Sequence, residues 1–273
     1  MTAPSDLRAR LRVEPGRTVQ LSRVDPAATH GYEKGEAADA ATRGVLDRLS
    51  DLQERLWAEH RHKVLIVLQG IDAAGKGGTI EHVMGAFNPA GATVTSFKVP
   101  TEPEREHDYL WRVHQHTPGS GRIAVFDRSH YEEVLIVRVH DLVPKEVWSK
   151  RYDQINAFER LLVEDGTTVL KFFLYIDRDE QRDRFQARYD DPAKRWKFRM
   201  GDLEERVRWD DYIAAFDDVL SRTSTELAPW YLVPANRKWF RNLAVATIVA
   251  DTLDDLGPAY PIDPTLPEGL VIT

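Results

Sequence analysis

The sequence predicts a doubly wound α/β fold, in which helices cover both faces of a mostly parallel sheet. Short apolar runs rich in β-branched residues alternate with amphipathic helical patterns, which is the order expected of successive βαβ units. The run at 64–68 is continuous in apolar residues, as in a strand that is buried on both faces. No internal repeat or low-complexity linker interrupts the chain, so we predict a single domain over residues 1–273.

The elements follow in a regular order along the chain. Residues 1–40 lack a firm period and contain several prolines and glycines, which predicts an extended arm. From about residue 37, leucines recur at three- and four-residue steps and predict a helix; they are Leu46, Leu49, Leu52 and Leu56. Five strands are predicted, at residues 64–68, 93–99, 122–126, 168–176 and 230–233.

Three later helices complete the predicted pattern. One begins just after Pro144, because proline is favoured in a first turn, and its apolar face is Trp148, Tyr152, Ile155, Phe158 and Leu162. Another begins at Asp202, which forms a predicted capping box with Glu205, and carries Leu203, Val207, Ile213, Phe216 and Leu220. A last helix spans about residues 237–253, and the proline-rich tail over 257–273 is predicted to be irregular.

Composition excludes several classes of protein. The chain has 273 residues, a formal net charge of −7 and no cysteine, so thiol catalysis, disulfide scaffolds and iron–sulfur clusters are excluded. No apolar run reaches the roughly 18–20 residues of a membrane span, and the first residues do not form a signal peptide. We therefore expect a cytoplasmic protein with no membrane partner. The acidic total also argues against nucleic acid as a partner.

The loop after the first strand has the spacing of a phosphate-binding loop. Gly70 and Gly75-Lys76 match G-x-x-x-x-G-K between a predicted strand and a predicted helix. Small residues let backbone N–H groups turn toward an anion, and the helix N-terminus adds positive potential. A glycine-rich turn that only connects strand to helix is the simpler alternative. We predict phosphate contacts from Lys76 and from Ala73, Ala74, Gly75, Gly77, Gly78 and Thr79.

This loop departs from the usual pattern at one position. Gly77 stands where Ser or Thr normally offers a hydroxyl to Mg²⁺, and Thr79 comes two residues later. Asp72 lies inside the loop, where its carboxylate would repel phosphate unless a metal ion lay between them. We predict that Asp72 is a metal ligand that replaces part of the missing hydroxyl's role. The alternative is a carboxylate that only braces the loop.

A second acidic residue ends the third predicted strand. Asp127 has the Walker-B position, in which a carboxylate holds Mg²⁺ beside the phosphate loop, although such a residue is often only a helix cap. Arg128 follows and is suited to stabilising charge on a transferring phosphoryl group. Glu132 and Glu133 are expected to be solvated surface residues, and the alternative is that they orient ligands. The predicted catalytic residues are Asp72, Lys76, Asp127 and Arg128, and the predicted metal ligands are Asp72 and Asp127.

Cations concentrate between residues 182 and 208. In nucleotide kinases a segment after the fourth strand closes over the phosphates and excludes water. We predict that Arg188, Lys194, Arg195 and Lys197 belong to such a lid, whereas Arg182 and Arg184 lie on a solvated charged helix. So many cations exceed the need of one nucleotide and indicate a polyanionic second substrate.

A zinc site is not predicted. His107, His114 and His116 lie close together in the sequence, but no third histidine or glutamate stands at a firm ligand spacing. A GTPase switch is also disfavoured, because a guanine-specific N-K-x-D sequence is absent.

Taken together, these motifs resemble the polyphosphate kinase 2 family. The resemblance rests on the loop at 70–78, the run at 126–132, the lid run at 194–198 and the run at 230–239. It covers most of the chain, including the arm. The run at 131–140 looks most like the branch called class III, which phosphorylates nucleoside mono- and diphosphates. Gly77 in place of Ser or Thr is itself typical of the family.

The resemblance implies a P-loop kinase fold of the thymidylate-kinase type. This is a three-layer sandwich with a central parallel five-stranded sheet and a helical lid. It also implies dependence on Mg²⁺ or Mn²⁺, inorganic polyphosphate as donor, nucleotides as acceptors, and a homodimer or homotetramer. By position, Asp72 and Asp127 would hold metal. The implied phosphate and polyphosphate contacts are Lys76, Arg128, Arg138, Arg188, Lys194, Arg195 and Lys197.

We therefore expect reversible in-line transfer of the terminal phosphoryl group of polyphosphate to a nucleotide. Two alternatives stay open from the sequence: an ATP-dependent kinase of the same fold, and a non-catalytic P-loop binding protein. Base preference, mono- or diphosphate as the favoured acceptor, and the physiological direction are likewise open.

Overall fold

A computed structural model describes residues 6–266 and 269–272. It has one five-stranded sheet, with strand order β2-β3-β1-β4-β5 and every neighbouring pair parallel. All five predicted strands are confirmed, and their bounds are Lys63–Gln69 (β1), Ala92–Ser96 (β2), Arg122–Asp127 (β3), Thr167–Tyr175 (β4) and Trp230–Pro234 (β5). Strand β2 ends before the predicted residue 99, because its partner β3 ends at Asp127, opposite Ser96.

Helices cover both faces of this sheet and make it a three-layer sandwich. The helices are Leu7–Leu11 (α1), Glu36–Glu59 (α2), Lys76–His82 (α3), Glu102–Arg105 (α4), Trp111–His114 (α5), Ile136–Val139 (α6), Lys145–Glu164 (α7), Arg178–Asp190 (α8), Met200–Val207 (α9), Trp209–Thr223 (α10) and Lys238–Leu256 (α11). One layer contains α1, α2 and α11, and the opposite layer contains α7 and α10. Within the described ranges, no helix is both long and apolar enough to span a membrane.

Strand β1 shows why the apolar runs are continuous. Val64, Ile66 and Leu68 pack into the layer of α2 and α11, whereas Leu65 and Val67 pack into the layer of α7 and α10. Successive side chains of a strand point to opposite faces, and here both faces are covered. A central strand of this sheet therefore has no solvent face on which polar residues would be favoured.

The prediction of one continuous helix that begins at Asp202 was wrong in two respects. Helix α9 begins at Met200, and the Asp202 carboxylate accepts a hydrogen bond from the Arg199 N–H at 3.1 Å. A break at Arg208 then separates α9 from α10. Helix α9 does not pack on the sheet, so its apolar Val207 is 79% exposed. The predicted apolar face is buried only in α10, at Phe216 and Leu220.

The N-terminal segment lies against the edge of the sheet. It contains helix α1 and a 3₁₀ turn at Leu21–Arg23, and the Val13 N–H donates to the Trp230 carbonyl at 2.8 Å. Beyond Leu256 the described residues form no helix or strand. The predicted arm and tail include residues 1–5, 267, 268 and 273, which lie outside the described residues. The assignment of the whole chain to one domain stays a prediction.

A buried ion pair links β4 to the layer of α7 and α10. The Lys171 ammonium is fully buried and donates to Glu159 Oε2 at 2.6 Å, to the Tyr131 hydroxyl at 2.9 Å and to the Thr223 carbonyl at 2.6 Å. Burial alone raises the pKa of the Glu159 carboxyl, but Lys171 and His130 outweigh it and hold the pKa below its ordinary value. Glu159 is therefore a buried carboxylate whose charge depends on one cation.

Replacing Lys171 by Met should strongly destabilise the fold. The change leaves the Glu159 carboxylate buried without its cation, and we expect the free energy of unfolding to fall by about 3–5 kcal/mol. Since a lowered carboxyl pKa stabilises the fold above the ordinary glutamate pKa, the wild-type contribution should be lost as pH falls through the lowered pKa. Urea unfolding at several pH values measures both effects.

A surface lysine on a neighbouring strand provides the control. Lys63 on β1 pairs with the exposed Asp165 at 2.6 Å, so Lys63→Met should cost at most about 1 kcal/mol. Equal losses for the two variants would contradict the role given to Lys171.

Candidate active site

The phosphate loop connects β1 to α3 at the carboxyl edge of the sheet, where ligands bind in open α/β folds. Two of its glycines are required by space. A Cβ on Gly70 would lie 2.7 Å from the Leu174 carbonyl oxygen, and one on Gly75 would lie 1.9 Å from Arg241 Nη1. Gly75 also has a φ of +107°, a left-handed conformation that favours glycine. The loop is therefore tightly packed against β4 and α11.

Lys76 is the first residue of α3, and its side chain turns back to the phosphate loop. Its ammonium donates to the Gly70 carbonyl at 2.6 Å and to the Ile71 carbonyl at 3.4 Å. Burial, followed by repulsion from Arg128, lowers the pKa of Lys76, and the nearby carboxylates of Asp72 and Asp127 only partly oppose this shift. An arriving phosphate would relieve this repulsion, so the geometry favours an anion next to Lys76.

Gly77 and Thr79 differ in what they offer a metal ion. A Cβ on Gly77 would meet no atom within 4 Å, so space alone does not exclude a Ser or Thr there. The Thr79 hydroxyl donates to the Gly75 carbonyl at 3.2 Å, and its side chain is buried. Neither residue presents a free hydroxyl to the cleft, and the carboxylate of Asp72 is the nearest polar alternative in the loop.

Asp72 and Arg128 meet across the cleft. Arg128 Nη2 donates to Asp72 Oδ1 at 2.6 Å, and both side chains are about one-third exposed. The backbone of Arg128 has a φ of +63°, which is uncommon for a residue with a Cβ and bends the chain directly after β3. Asp127, the last residue of β3, accepts from the Ser96 hydroxyl at 3.1 Å. The structure thus brings the four predicted catalytic residues to the carboxyl edge of the sheet.

Glu132 and Glu133 are not solvated surface residues as expected. They lie on a 3₁₀ turn, His130–Val134, which packs against α7. Glu132 lies beside Arg128 and Lys76, and burial raises the pKa of its carboxyl although both cations oppose that shift. Glu133 forms an ion pair with Arg151. The expectation was wrong because the turn directs these carboxylates inward rather than continuing an exposed helix.

The prediction that Arg184 lies on a solvated helix face was also wrong, because its side chain is buried. Arg182 is exposed, as expected. Arg184 Nη1 donates to the carbonyls of Ala73 and Ala74, each at 2.9 Å. Its Nη2 donates to the carbonyls of Ala235 at 2.6 Å and Asn236 at 3.1 Å. The side chain is 8% exposed. Arg184 therefore ties the phosphate loop to the connection between β5 and α11.

Two further residues behind the loop carry no motif that sequence reasoning recognised. Gln181, one turn before Arg184 on α8, donates to the Asp72 carbonyl at 3.0 Å. Arg241 on α11 is 2% exposed, and its guanidinium donates to the Asn242 side chain. Burial and repulsion from Arg184 lower the pKa of Arg241 to about 10. The spacing of Gln181, Arg184 and Arg188 along one helix face is the sequence signal that could have revealed part of this group.

The predicted lid residues do not all reach the phosphate loop. Lys194 pairs with Asp191 at 2.7 Å, Arg195 Nε donates to the Tyr189 carbonyl at 2.6 Å, and Lys197 lies over the Trp196 ring at 5.1 Å. Arg188 is half-buried, and the charges that act on its pKa include that of Asp72. Of the four predicted lid cations, Arg188 is thus the one that the structure places within electrostatic range of the loop.

Arg138 also has local partners. Its guanidinium donates to the Tyr152 hydroxyl at 3.0 Å and to Asp218 at 2.5 Å, and it lies over the Trp148 ring. These contacts connect α6 to α7 and α10. A direct phosphate contact from Arg138 stays a prediction.

A cavity of about 320 Å³ adjoins the loop. Its exposed surface is mostly apolar and includes Phe97, Val113 and Val137. Charged residues also line it, namely Lys98, Arg105, Arg112, Arg128, Glu132 and Glu133. Arg128 and Glu132 line the small cleft beside Gly70 and Asp72 as well. The cavity is therefore joined to the phosphate loop through two charged side chains. A mostly apolar surface with four cations in its lining suits a small molecule with a ring system and an anionic group.

No group of three or more acidic, histidine or cysteine side chains gathers into a metal site by itself in the part of the chain that the structure describes. Asp72 and Asp127 are the carboxylates at the carboxyl edge of β1 and β3. Sites that hold Mg²⁺ beside phosphates often use one or two carboxylates and leave the other positions to phosphate and water. The residues present fit that kind of site.

Comparisons with known proteins agree with this geometry. An AMP/ADP-polyphosphate phosphotransferase of Meiothermus ruber is 53% identical over 96% of this chain and 98% of its own length. An ADP-polyphosphate phosphotransferase of Rhodopseudomonas palustris is 47% identical over 92% of this chain and 91% of its own. The crystal structure of Polyphosphate Kinase 2 from Arthrobacter aurescens TC1 superposes with a TM-score of 0.90 at 44% identity, covering 94% of this chain and 92% of that one.

The family model named Polyphosphate kinase 2 matches residues 33–259. This match covers the phosphate loop, the strand end at Asp127, the lid segment and helix α11. The chain belongs to the polyphosphate kinase 2 family.

Proposed function

We propose that this enzyme transfers the terminal phosphoryl group of inorganic polyphosphate to a nucleoside mono- or diphosphate, in a reversible reaction. The observation that carries the proposal is the apolar cavity that shares Arg128 and Glu132 with the cleft beside the phosphate loop. A nucleoside fits the apolar part, and its phosphates then point to Arg128. The names of the relatives, which act on AMP, ADP or GDP, support the same assignment.

Mg²⁺ or Mn²⁺ is the proposed cofactor, held by Asp72 and Asp127. When bound, the metal neutralises charge between two mutually repelling phosphates. The fit rests on the donor set, since a carboxylate replaces the hydroxyl that Gly77 and the inward-bonded Thr79 do not supply. In the structure the Asp72 carboxylate is paired with Arg128. We infer that Arg128 turns from Asp72 to phosphate when substrates arrive.

The protein's part in the reaction is positioning and charge neutralisation. Phosphoryl transfer needs little covalent chemistry from the enzyme, because charge builds on the equatorial oxygens of a group that moves in line. Lys76 and Arg128 donate to those oxygens. The phosphate loop presents its backbone N–H groups to the donor end, while the apolar cavity holds the nucleoside. Glu132 lies beside both cations and limits their mutual repulsion.

The lid supplies the contacts to the rest of the donor. We propose that Arg188, Lys194, Arg195 and Lys197 guide the polyphosphate chain toward Lys76. Lys194 and Arg195 are held by weak partners, an exposed ion pair and a single carbonyl, so they can exchange these for phosphate at low cost. Polyphosphate has no bases to recognise, so its binding should depend mostly on charge.

Replacing Asp127 by Asn should abolish most of the turnover. The change keeps the side-chain shape and removes the metal-binding charge, so we expect kcat to fall by at least about 100-fold. The assay supplies polyphosphate and Mg²⁺ with AMP, ADP, GMP or GDP, followed by separation of the products. Asp153→Asn, at an exposed position on α7, is the matched control and should leave kcat unchanged. Full turnover in the Asp127 variant would contradict the proposed metal site.

Removing lid cations should weaken the binding of polyphosphate but not the binding of the nucleotide. We expect the triple variant Lys194→Gln, Arg195→Gln, Lys197→Gln to raise the KM for polyphosphate by about 10-fold or more, with the KM for nucleotide unchanged. Because fewer phosphates are then neutralised by the protein, log KM should also depend less steeply on log salt concentration, by about 0.7 for each cation that no longer binds a phosphate. Initial rates at several salt concentrations measure both.

Arg182→Gln is the control for the lid variant. Arg182 is exposed on the same segment and paired with Asp179 and Asp183, so its loss should change neither KM nor the salt dependence. An unaltered polyphosphate KM in the triple variant would show that the lid does not contact the donor.

A further inference from the structure

A second cationic cavity lies outside the site described above. The N-terminal segment encloses about 360 Å³ between helix α1, the 3₁₀ turn at Leu21–Arg23 and the end of β5. Its lining shares no residue with the two cavities beside the phosphate loop. Four arginines contribute to it, namely Arg10, Arg12, Arg17 and Arg23. None of these residues has a role in the proposed reaction.

The walls of this arm cavity are anchored to the core. The Val13 N–H donates to the Trp230 carbonyl at 2.8 Å, and the Val19 N–H donates to the Ser221 hydroxyl at 2.8 Å. The Leu21 N–H donates to Asp217 Oδ1 at 2.8 Å. The side chains of Val13, Val19 and Leu21 are buried. The cavity is therefore a preformed feature of the fold rather than a gap in a loose segment.

Charge in the arm cavity is unbalanced. Four arginines line the cavity against one carboxylate, that of Asp25. Within the described ranges, the exposed Arg10, Arg17 and Arg23 take part in no ion pair, and Arg12 shares only the exposed Glu226 at 2.7 Å. The buried Nε of Arg12 has no hydrogen-bond partner among the described residues. Buried donors normally find an acceptor, and unpaired arginines that face one space repel each other. An anion with several oxygens would accept a hydrogen bond from Arg12 and reduce the repulsion between the arginines.

The arm cavity lies beside β5, the outer strand of the sheet, and reaches the carboxyl end of that strand. Pro234, which lines it, ends β5, and parallel strands present their carboxyl ends at one edge. Two strand spacings, about 10 Å, separate β5 from β1. The Asn236 N–H donates to the Pro26 carbonyl at 3.0 Å, and Arg184 bonds both Asn236 and the phosphate loop. The arm and the loop are thus connected by hydrogen bonds through Asn236 and Arg184.

We propose that the arm cavity binds distal units of a long polyphosphate chain whose terminal unit reacts at the phosphate loop. The inference rests on the proposed function for its choice of ligand. The chemistry of the cavity favours a flexible anion with repeated phosphate groups, because four arginines outnumber the one carboxylate in its lining and the strand beside it is two strands from β1. Linked phosphates would then gain affinity through the raised effective concentration at the second site. Short donors that occupy only the phosphate loop would gain no affinity from the arm cavity.

The test compares Arg17→Gln/Arg23→Gln with wild type and with Arg43→Gln, an exposed arginine of α2 that serves as control. Isothermal titration calorimetry of the full chain, without nucleotide, uses long-chain polyphosphate, tripolyphosphate and AMP as separate probes. We expect the Kd for long-chain polyphosphate to rise at least 10-fold in the double variant only. The Kd values for tripolyphosphate and AMP should stay unchanged. Circular dichroism melting verifies that each variant is folded.

Each outcome decides the proposal. An unchanged Kd for long-chain polyphosphate in the double variant would overturn it, as would an equal loss of affinity for tripolyphosphate. A loss confined to AMP would assign the cavity to a nucleotide and also overturn it. Because titration needs no turnover, a parallel rate assay separates the two claims. Absent turnover with polyphosphate would refute the proposed function, while the titration still decides whether the arm cavity binds the chain.

Discussion

The candidate site depends on one buried guanidinium. Arg184 donates from helix α8 to carbonyls of two segments, the phosphate loop and the connection between β5 and α11. The carbonyl oxygens of the two segments lie outside helices and have no helical N–H partner. Hydrogen bonds from a charged group contribute about 1.5–3 kcal/mol each. Helix α8, which carries Arg184, also precedes the predicted lid segment. A lysine could not replace Arg184, since one ammonium cannot span both segments.

This arrangement places an unusual density of cations against a loop with few acids. Lys76 and Arg241 have lowered pKa values, both first through burial and then through neighbouring arginines. Repulsion between these cations destabilises the protein in the absence of ligand and is relieved when phosphate binds. The charges around the loop therefore favour a bound anion. The net charge of −7 gives no hint of this, because acids are spread over the surface while cations converge. The distribution of charge, and not its sum, identifies the partner.

The fold and the central motif could be predicted because their signals are local. A continuous apolar run marked the central strand β1, and the G-x-x-x-x-G-K spacing with Asp127 marked the carboxyl edge of the sheet, where the predicted catalytic residues meet. Arg184, Glu132 and Arg241 could not be placed with the same reasoning. Their roles arise from the approach of helices distant in sequence, and a charged residue on a helix ordinarily faces solvent. The failed capping box at Asp202 has a similar origin, because α9 begins two residues earlier in a segment that no core contact fixes.

The central claim is that this family member takes its phosphoryl group from polyphosphate, with the nucleotide as acceptor in the apolar cavity. The most direct measurement is kcat/KM for polyphosphate and for ATP as donors, with the same acceptor, Mg²⁺ concentration and ionic strength. The account predicts a kcat/KM for polyphosphate at least 100-fold higher than that for ATP. Comparable or better turnover with ATP would contradict it.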